Sequence, residues 1–217
     1  MGFYALVAFF QKGGMFMYPI LLVFTVGLAI AVERWVQLNR VRMANHKLWG
    51  LLRPVLVKGE FEKAREMVNK DKSSLAQMLG MGLARQGTAV RRREDIEIAM
   101  EESMMEIIPQ LEKRTPYVAL LSNIATLLGL LGTIMGLIEA FTAVANANPA
   151  EKADLLSASI SVAMNTTAFG LMSAIPLLLF HAKLTSTTGQ IVDSLEMASV
   201  KALNTISNFT KRQFEGN

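Results

Sequence analysis

The sequence predicts an all-α integral membrane protein with three transmembrane helices that are extended by long cytoplasmic helices. Three uncharged stretches, at residues 15–32, 115–138 and 155–180, are each long enough to cross the roughly 30 Å hydrocarbon core of a bilayer as a helix. The 217-residue chain is 52% hydrophobic and has a mean hydropathy of +0.34. It is too apolar for an ordinary soluble domain and too polar to be membrane throughout, so the remaining segments must be exposed to water.

The expected elements follow in order along the chain. Residues 1–14 are apolar but lack the charge and cleavage pattern of a signal peptide, so we expect them to be retained as an interfacial helix. Basic residues gather where the spans meet the long middle segment and the tail, so the positive-inside rule places the N-terminus in the periplasm and the C-terminus in the cytoplasm. The predicted segments are the first transmembrane helix (15–33), a cytoplasmic helical segment (34–114), the second transmembrane helix (115–141), a periplasmic loop (142–154), the third transmembrane helix (155–182) and a cytoplasmic tail helix (183–217).

Local patterns predict helices within the two cytoplasmic segments. A turn is expected at Lys58-Gly59, followed by a helix over residues 61–68 and a further short helix over residues 75–84. A long helix begins at residue 93 and leads into the second span, where Pro109 and Pro116 should bend it or restart it at the membrane surface. In the tail, apolar residues at helical spacing predict an amphipathic continuation of the third span: Ile191, Leu195, Ala198, Ala202 and Ile206.

The second and third spans carry polar and small side chains that a lipid-facing helix has no reason to hold. Their hydroxyl and amide groups need protein or a hydrated ion path as surroundings, which makes the two spans a candidate pore lining. The alternative is that each hydroxyl bonds to the carbonyl one turn earlier and only holds helices together. The candidate pathway residues are Thr126, Thr133, Asn165, Thr166 and Thr167, and the candidate helix-packing residues are Gly129, Gly132, Gly136, Gly170 and Ser173.

Several other classes of function find no support in the sequence. The chain has no cysteine, neither of its two histidines has a credible Ser or carboxylate partner, and no phosphate-binding glycine loop appears. We therefore predict that the chain is not an enzyme and that it binds no cofactor and no permanent metal ion. Acidic residues are interleaved with the basic ones, so we do not expect nucleic acid as a partner. The expected partner surface is membrane lipid. Glu33 and Glu139 lie at the ends of the spans, so the interior of the spans holds no acidic group, although a proton pathway normally needs a titratable one.

In its transmembrane segments and the residues that flank them, the sequence resembles the MotA/TolQ/ExbB family of ion-driven motor subunits. The three-span layout is similar to the ExbB/TolQ branch. The resemblance covers nearly the whole chain through GGMFMYPILLV from Gly13, EKR from Glu112, LLGLLGTIMGL from Leu127 and TTAFGLMSAIP from Thr166. It implies a homopentamer in the bacterial inner membrane that encloses two single-span ExbD/TolR-like subunits. The resemblance also implies that the partner supplies a membrane aspartate that carries the ion and that Thr133 and Thr167 line the ion path. Ion flow then drives mechanical work, which energises TonB- or Tol-type envelope transport or upkeep.

Two departures from the family pattern bear on the coupling ion. Val162 stands where the family commonly holds a glutamate in the third span, and Thr126 stands where it usually holds a proline. Fewer carboxylates and more hydroxyls suit a dehydrated cation, so a transient Na⁺ near Thr133 and Thr167 is a hypothesis beside proton conduction. A passive oligomeric membrane scaffold and a flagellar-type stator subunit are the alternative functions, and stators of the flagellar branch usually have four spans.

Overall fold

A computed structural model describes Phe10 and residues 13–86 and 93–215, and in this part of the chain the secondary structure is all helical, as predicted. The predicted interfacial helix at residues 1–14 lies mostly outside the described residues. Three helical stretches, Met17–Val57, Arg93–Ala145 and Lys152–Phe209, are long and apolar enough to cross a membrane. In chain order, the described helices are α1 (Met17–Val57), α2 (Phe61–Lys70), α3 (Ser74–Gln86), α4 (Arg93–Glu112), α5 (Thr115–Ala145) and α6 (Lys152–Glu215).

Two of the helix boundaries lie where the sequence carries proline or glycine. The predicted restart before the second span is confirmed, because α4 ends at Glu112 and Arg114 takes a left-handed φ of 66° before α5 begins. Pro116 occupies the first turn of α5, where its missing N–H would have had no helical partner. The predicted turn before α2 is also confirmed at Gly59, whose φ of +74° favours glycine.

The connection between α5 and α6 is shorter than the predicted loop at 142–154. Only residues 146–151 lie between the two helices, because α5 continues to Ala145 and α6 starts at Lys152. Thr142 donates its hydroxyl to the carbonyl of Ile138 at 2.8 Å, and so remains part of the last turns of α5. Helix α6 then continues for 64 residues, with Pro176 inside it.

The chain divides into two compact units, and the first comprises residues 1–34 and 114–184. In this first unit α1, α5 and α6 bury apolar side chains that include Met17, Val118 and Leu177. Large apolar side chains on the opposite faces stay exposed, among them Leu127 and Leu179 at 63% and 68%. A surface this apolar requires lipid or further protein around it.

The second unit comprises residues 35–113 and 185–217 and is built from α2, α3, α4 and the adjoining parts of α1 and α6. Helix α3 packs against both α2 and α4, and the side-chain oxygen of Asn45 accepts the backbone N–H of Leu75 at 3.1 Å. The tail of α6 turns its predicted apolar face into this core, so the amphipathic prediction is confirmed. The buried residues of that face are Ile191, Leu195, Ala198, Ala202 and Ile206.

Candidate ion-pathway site

Helices α5 and α6 approach each other closely at two glycines. A Cβ atom at position 170 would lie 2.8 Å from the carbonyl oxygen of Ala125 and 2.9 Å from the Cα of Gly129. A Cβ at position 129 would in turn lie 3.2 Å from the Cα of Gly170 and 3.3 Å from the Cα of Thr167. Small residues at facing positions let the two backbones come this close. Gly129 and Gly170 are both among the predicted packing positions.

The hydroxyl groups of Thr133 and Thr167 meet beside this close approach. They are in direct hydrogen-bond contact, and the Thr167 hydroxyl also donates to the carbonyl oxygen of Gly129 at 2.9 Å. The Thr133 hydroxyl lies 3.3 Å from the carbonyl oxygens of both Gly129 and Ala163. Both threonines are half-buried. Two hydroxyls and two carbonyls thus form a cluster of hard oxygen atoms at the edge of the α5–α6 contact.

Thr166 is adjacent to Thr167 in sequence but lies in the interior of the first unit. It is only 2% exposed, and its hydroxyl lies 2.5 Å from the carbonyl oxygen of Gly13 and 3.0 Å from that of Val162. Its methyl group fills the space that a side chain at Gly132 would need. Successive residues of a helix point about 100° apart, so the two threonines face different surroundings.

The other predicted pathway residues lie away from the oxygen cluster. Thr126 is exposed and its hydroxyl donates to the carbonyl of Ser122 one turn earlier at 3.2 Å. Asn165 is half-buried, and its side chain forms no hydrogen bond with another described residue. Of the remaining predicted packing positions, Ser173 is buried, and a Cβ at Gly136 would lie 3.0 Å from the Cβ of Ala163.

A buried hydrogen bond between the two helices was not anticipated from the sequence. Ser122 is fully buried, and its hydroxyl donates to the carbonyl oxygen of Ala174 at 2.8 Å. The spacing of Ser122, Ala125, Gly129 and Gly132 is three, four and three, which is one face of a helix built from small residues. That spacing is a signal from which the contact could have been predicted.

Charged groups of the first unit meet just after the uncharged stretch 15–32 and just before the uncharged stretch 115–138. Glu33 and Arg114 form an ion pair with an N–O distance of 3.4 Å, and both side chains are about half exposed. The neighbouring Arg34 is buried, and this burial lowers the pKa of its guanidinium, while Glu33 raises it and Arg114 lowers it further. Arginine stays charged at physiological pH in spite of such shifts. Among the residues that the structure describes, no group of three or more His, Asp or Glu side chains could hold a metal ion.

Comparison with known proteins places the oxygen cluster within a matched region. A sequence profile described as the MotA/TolQ/ExbB proton channel family matches residues 70–197, which include all of α4 and α5 and the part of α6 that carries Thr166 and Thr167. The match thus spans more than half of the chain.

Individual relatives carry names of the same kind. The chain is 25% identical over 190 residues to a putative biopolymer transport protein ExbB homolog of Methanothermobacter thermautotrophicus, which covers 87% of this chain and 66% of that protein. It is 34% identical over 86 residues to the Tol-Pal system protein TolQ of Haemophilus influenzae, at 40% of this chain and 37% of that protein. It is 30% identical over 191 residues to a putative biopolymer transport protein ExbB-like 1 of Synechocystis, and the match covers 85% of this chain and 72% of that protein. The matched region therefore spans just under two thirds of the first relative and little more than a third of the second.

Proposed function

The chain belongs to the MotA/TolQ/ExbB proton channel family, and from this membership we propose that it is the ion-conducting subunit of a motor in the bacterial inner membrane. Five copies enclose the single-span helices of two ExbD/TolR-like subunits. Ions pass between the partner's membrane aspartate and the Thr133–Thr167 cluster, and the flow drives mechanical work on a TonB- or Tol-type envelope protein. The N-terminus faces the periplasm, and the second unit faces the cytoplasm.

The observation that carries this proposal is the half-buried oxygen cluster around Thr133 and Thr167. Hydroxyls that served only to hold α5 against α6 would be enclosed, as the hydroxyl of Ser122 is. The two threonines instead keep part of their surface outside the chain, within the stretches 115–138 and 155–180, which carry no charged side chain. A carboxylate from a partner helix would complete a site of hard oxygen ligands there.

The exposed apolar faces of the first unit support the proposed assembly. Leu22 and Leu127 are 65% and 63% exposed on helices that already bury their small-residue faces within the chain. Neighbouring copies and lipid can cover such faces, and packing in membranes favours closed symmetric assemblies. Native mass spectrometry of the detergent-extracted protein should give the mass of a pentamer, whereas a stable monomer would contradict the proposed assembly.

The ligand set also supports sodium as a coupling ion beside the proton. The cluster offers two hydroxyls and the carbonyl oxygens of Gly129 and Ala163, and the nearby Val162 contributes no carboxylate. A sodium ion exchanges hydration oxygens for protein oxygens of this kind, whereas a proton needs only a titratable relay. The partner's aspartate by itself is sufficient for the proton-driven alternative.

Ion flux into liposomes tests the proposed function against a passive scaffold. Vesicles that contain this chain together with its ExbD/TolR-like partner should conduct when an ion gradient is imposed. The matched controls are vesicles with the chain alone and vesicles in which the partner's membrane aspartate is replaced by asparagine, and neither should conduct. If none of the three preparations conducted ions, the proposed function would be wrong and the chain would act as a passive scaffold.

A further inference from the structure

A cleft in the second unit combines an apolar wall with a purely basic set of charges. It has a volume of about 1240 Å³ and is lined by α1, by α6 and by Leu75 of α3. Its charged and titratable lining residues are Arg42, His46 and Lys47, with no carboxylate among them. Between Arg34 and Val57, α1 carries five basic residues and no acidic one. The cleft is therefore suited to a ligand that is both apolar and acidic.

Helix α4 presents a surface with the opposite charge. After Arg93 it carries seven acidic residues and no basic one as far as Glu112. Two apolar side chains stand out from the same helix, Ile98 at 52% and Met105 at 73% exposure. With Glu101 between them, the positions 98, 101 and 105 follow each other by three and four, so they form one stripe on the helix.

Neither surface is neutralised by an ion pair in the part of the chain that the structure describes. Among the described residues, Arg42 and Lys47 of the cleft take part in no ion pair, and the same holds for Glu101 on α4. Asn45, which also lines the cleft, is 5% exposed, and its amide nitrogen is buried without a hydrogen-bond partner in the described part of the chain.

We propose that the α4 stripe of one copy docks into the basic cleft of the next copy around the ring. The inference rests on the oligomer proposed above. Because cleft and stripe are different surfaces, the contact is head-to-tail, which is the kind that generates a closed ring when the rotation closes. The apolar side chains Ile98 and Met105 lie against the cleft wall, and Glu101 meets the basic rim.

The spacing of the residues within each surface supports this pairing. Lys47 follows Met43 by four residues on α1, and Glu101 precedes Met105 by four residues on α4. A helix advances about 1.5 Å per residue, so each pair is separated by about 6 Å along its own helix. When the two helix segments run antiparallel, Met43 meets Met105 and Lys47 meets Glu101 at the same time.

Disulfide trapping tests the contact directly, because the chain has no cysteine of its own. The double variant Met43→Cys/Met105→Cys in the full chain, oxidised in native membranes, should give a ladder from dimer to pentamer on a non-reducing gel. The variant Met43→Cys/Ile98→Cys is the matched control, because Ile98 lies on the same stripe about 10 Å further along the helix. That exceeds the Cβ–Cβ separation of about 3.5–4.5 Å that a disulfide spans, so the control should stay monomeric.

Charge reversal adds a second readout on the same background. Glu101→Lys or Lys47→Glu should each lower the yield of the Met43–Met105 ladder about two- to five-fold, the range of one exposed ion pair, and the two together should restore it. A pentamer intact by native mass spectrometry but without any ladder would overturn the docking inference and leave the proposed function standing. Loss of co-purified anionic phospholipid from Lys47→Glu, with no response to Glu101→Lys, would assign the cleft to a lipid phosphate instead and would also overturn it.

Discussion

Replacement of Gly170 by alanine should loosen the contact that forms the oxygen cluster. The added Cβ would lie 2.9 Å from the Cα of Gly129, whereas carbon atoms pack best at about 3.5–4.0 Å, so α5 and α6 must move apart by roughly 0.6–1 Å. The obstacle is backbone on the α5 side, including the carbonyl oxygen of Ala125 at 2.8 Å, and it cannot rotate away.

The expected magnitude follows from two opposing terms. Overpacking costs typically about 1–3 kcal/mol, and with backbone as the obstacle we expect about 2–3. Alanine in place of glycine returns up to about 1 kcal/mol of helix propensity. The net loss in the free energy of unfolding is therefore about 1–2 kcal/mol, which lowers Tm by about 2–8 °C for a chain of this length.

Thermal unfolding of the detergent-solubilised protein, followed by circular dichroism, measures this loss. Gly189→Ala is the matched control, because Gly189 lies in the same helix and a Cβ there meets no atom within 4 Å. This control should raise the stability by about 0.5–1 kcal/mol. If both variants shifted Tm upward alike, the close approach of α5 and α6 at Gly170 would be refuted.

Three further predictions concern the first unit and its coupling ion. Ser122→Ala should lower the free energy of unfolding by about 0.5–1.5 kcal/mol, because it removes a buried hydrogen bond to Ala174; an unchanged Tm would mean that the bond contributes nothing. Glu33→Gln should change Tm by less than about 4 °C, since exposed ion pairs contribute at most about 1 kcal/mol, and a larger fall would indicate a more buried pair. Motor output should rise across a sodium series at fixed pH and membrane potential, whereas full output in sodium-free potassium buffer would leave the proton as the coupling ion.

Much of the helical architecture could be predicted from local patterns. The restart before α5 follows from Pro116, the turn before α2 follows from Gly59, and the buried face of the tail follows from apolar residues at helical spacing. Each of these features depends on the chemistry of a few neighbouring residues, so a single sequence carries the signal.

The different surroundings of the individual polar residues could not be predicted in the same way. Thr166 and Thr167 are equal candidates in the sequence, yet only Thr167 meets Thr133, because the rotation of α6 about its axis is set by its packing against other helices. On α5 the buried line runs through Ser122 and Gly129, whereas Thr126 is exposed. Helix rotation is a tertiary property, and adjacent residues differ by about 100° in direction.

Ion flux through Thr133→Ala and Thr167→Ala variants tests most directly the claim that these hydroxyls line the ion path. Each variant, reconstituted in liposomes with the ExbD/TolR-like partner, should assemble as the wild type does but lose most of its flux, since the change removes an oxygen ligand and little volume. Thr126→Ala is the matched control, because its hydroxyl bonds only to its own helix, and it should conduct nearly as well as the wild type. Wild-type flux from both Thr133→Ala and Thr167→Ala, at normal abundance, would show that the cluster only holds α5 against α6 and would contradict the account.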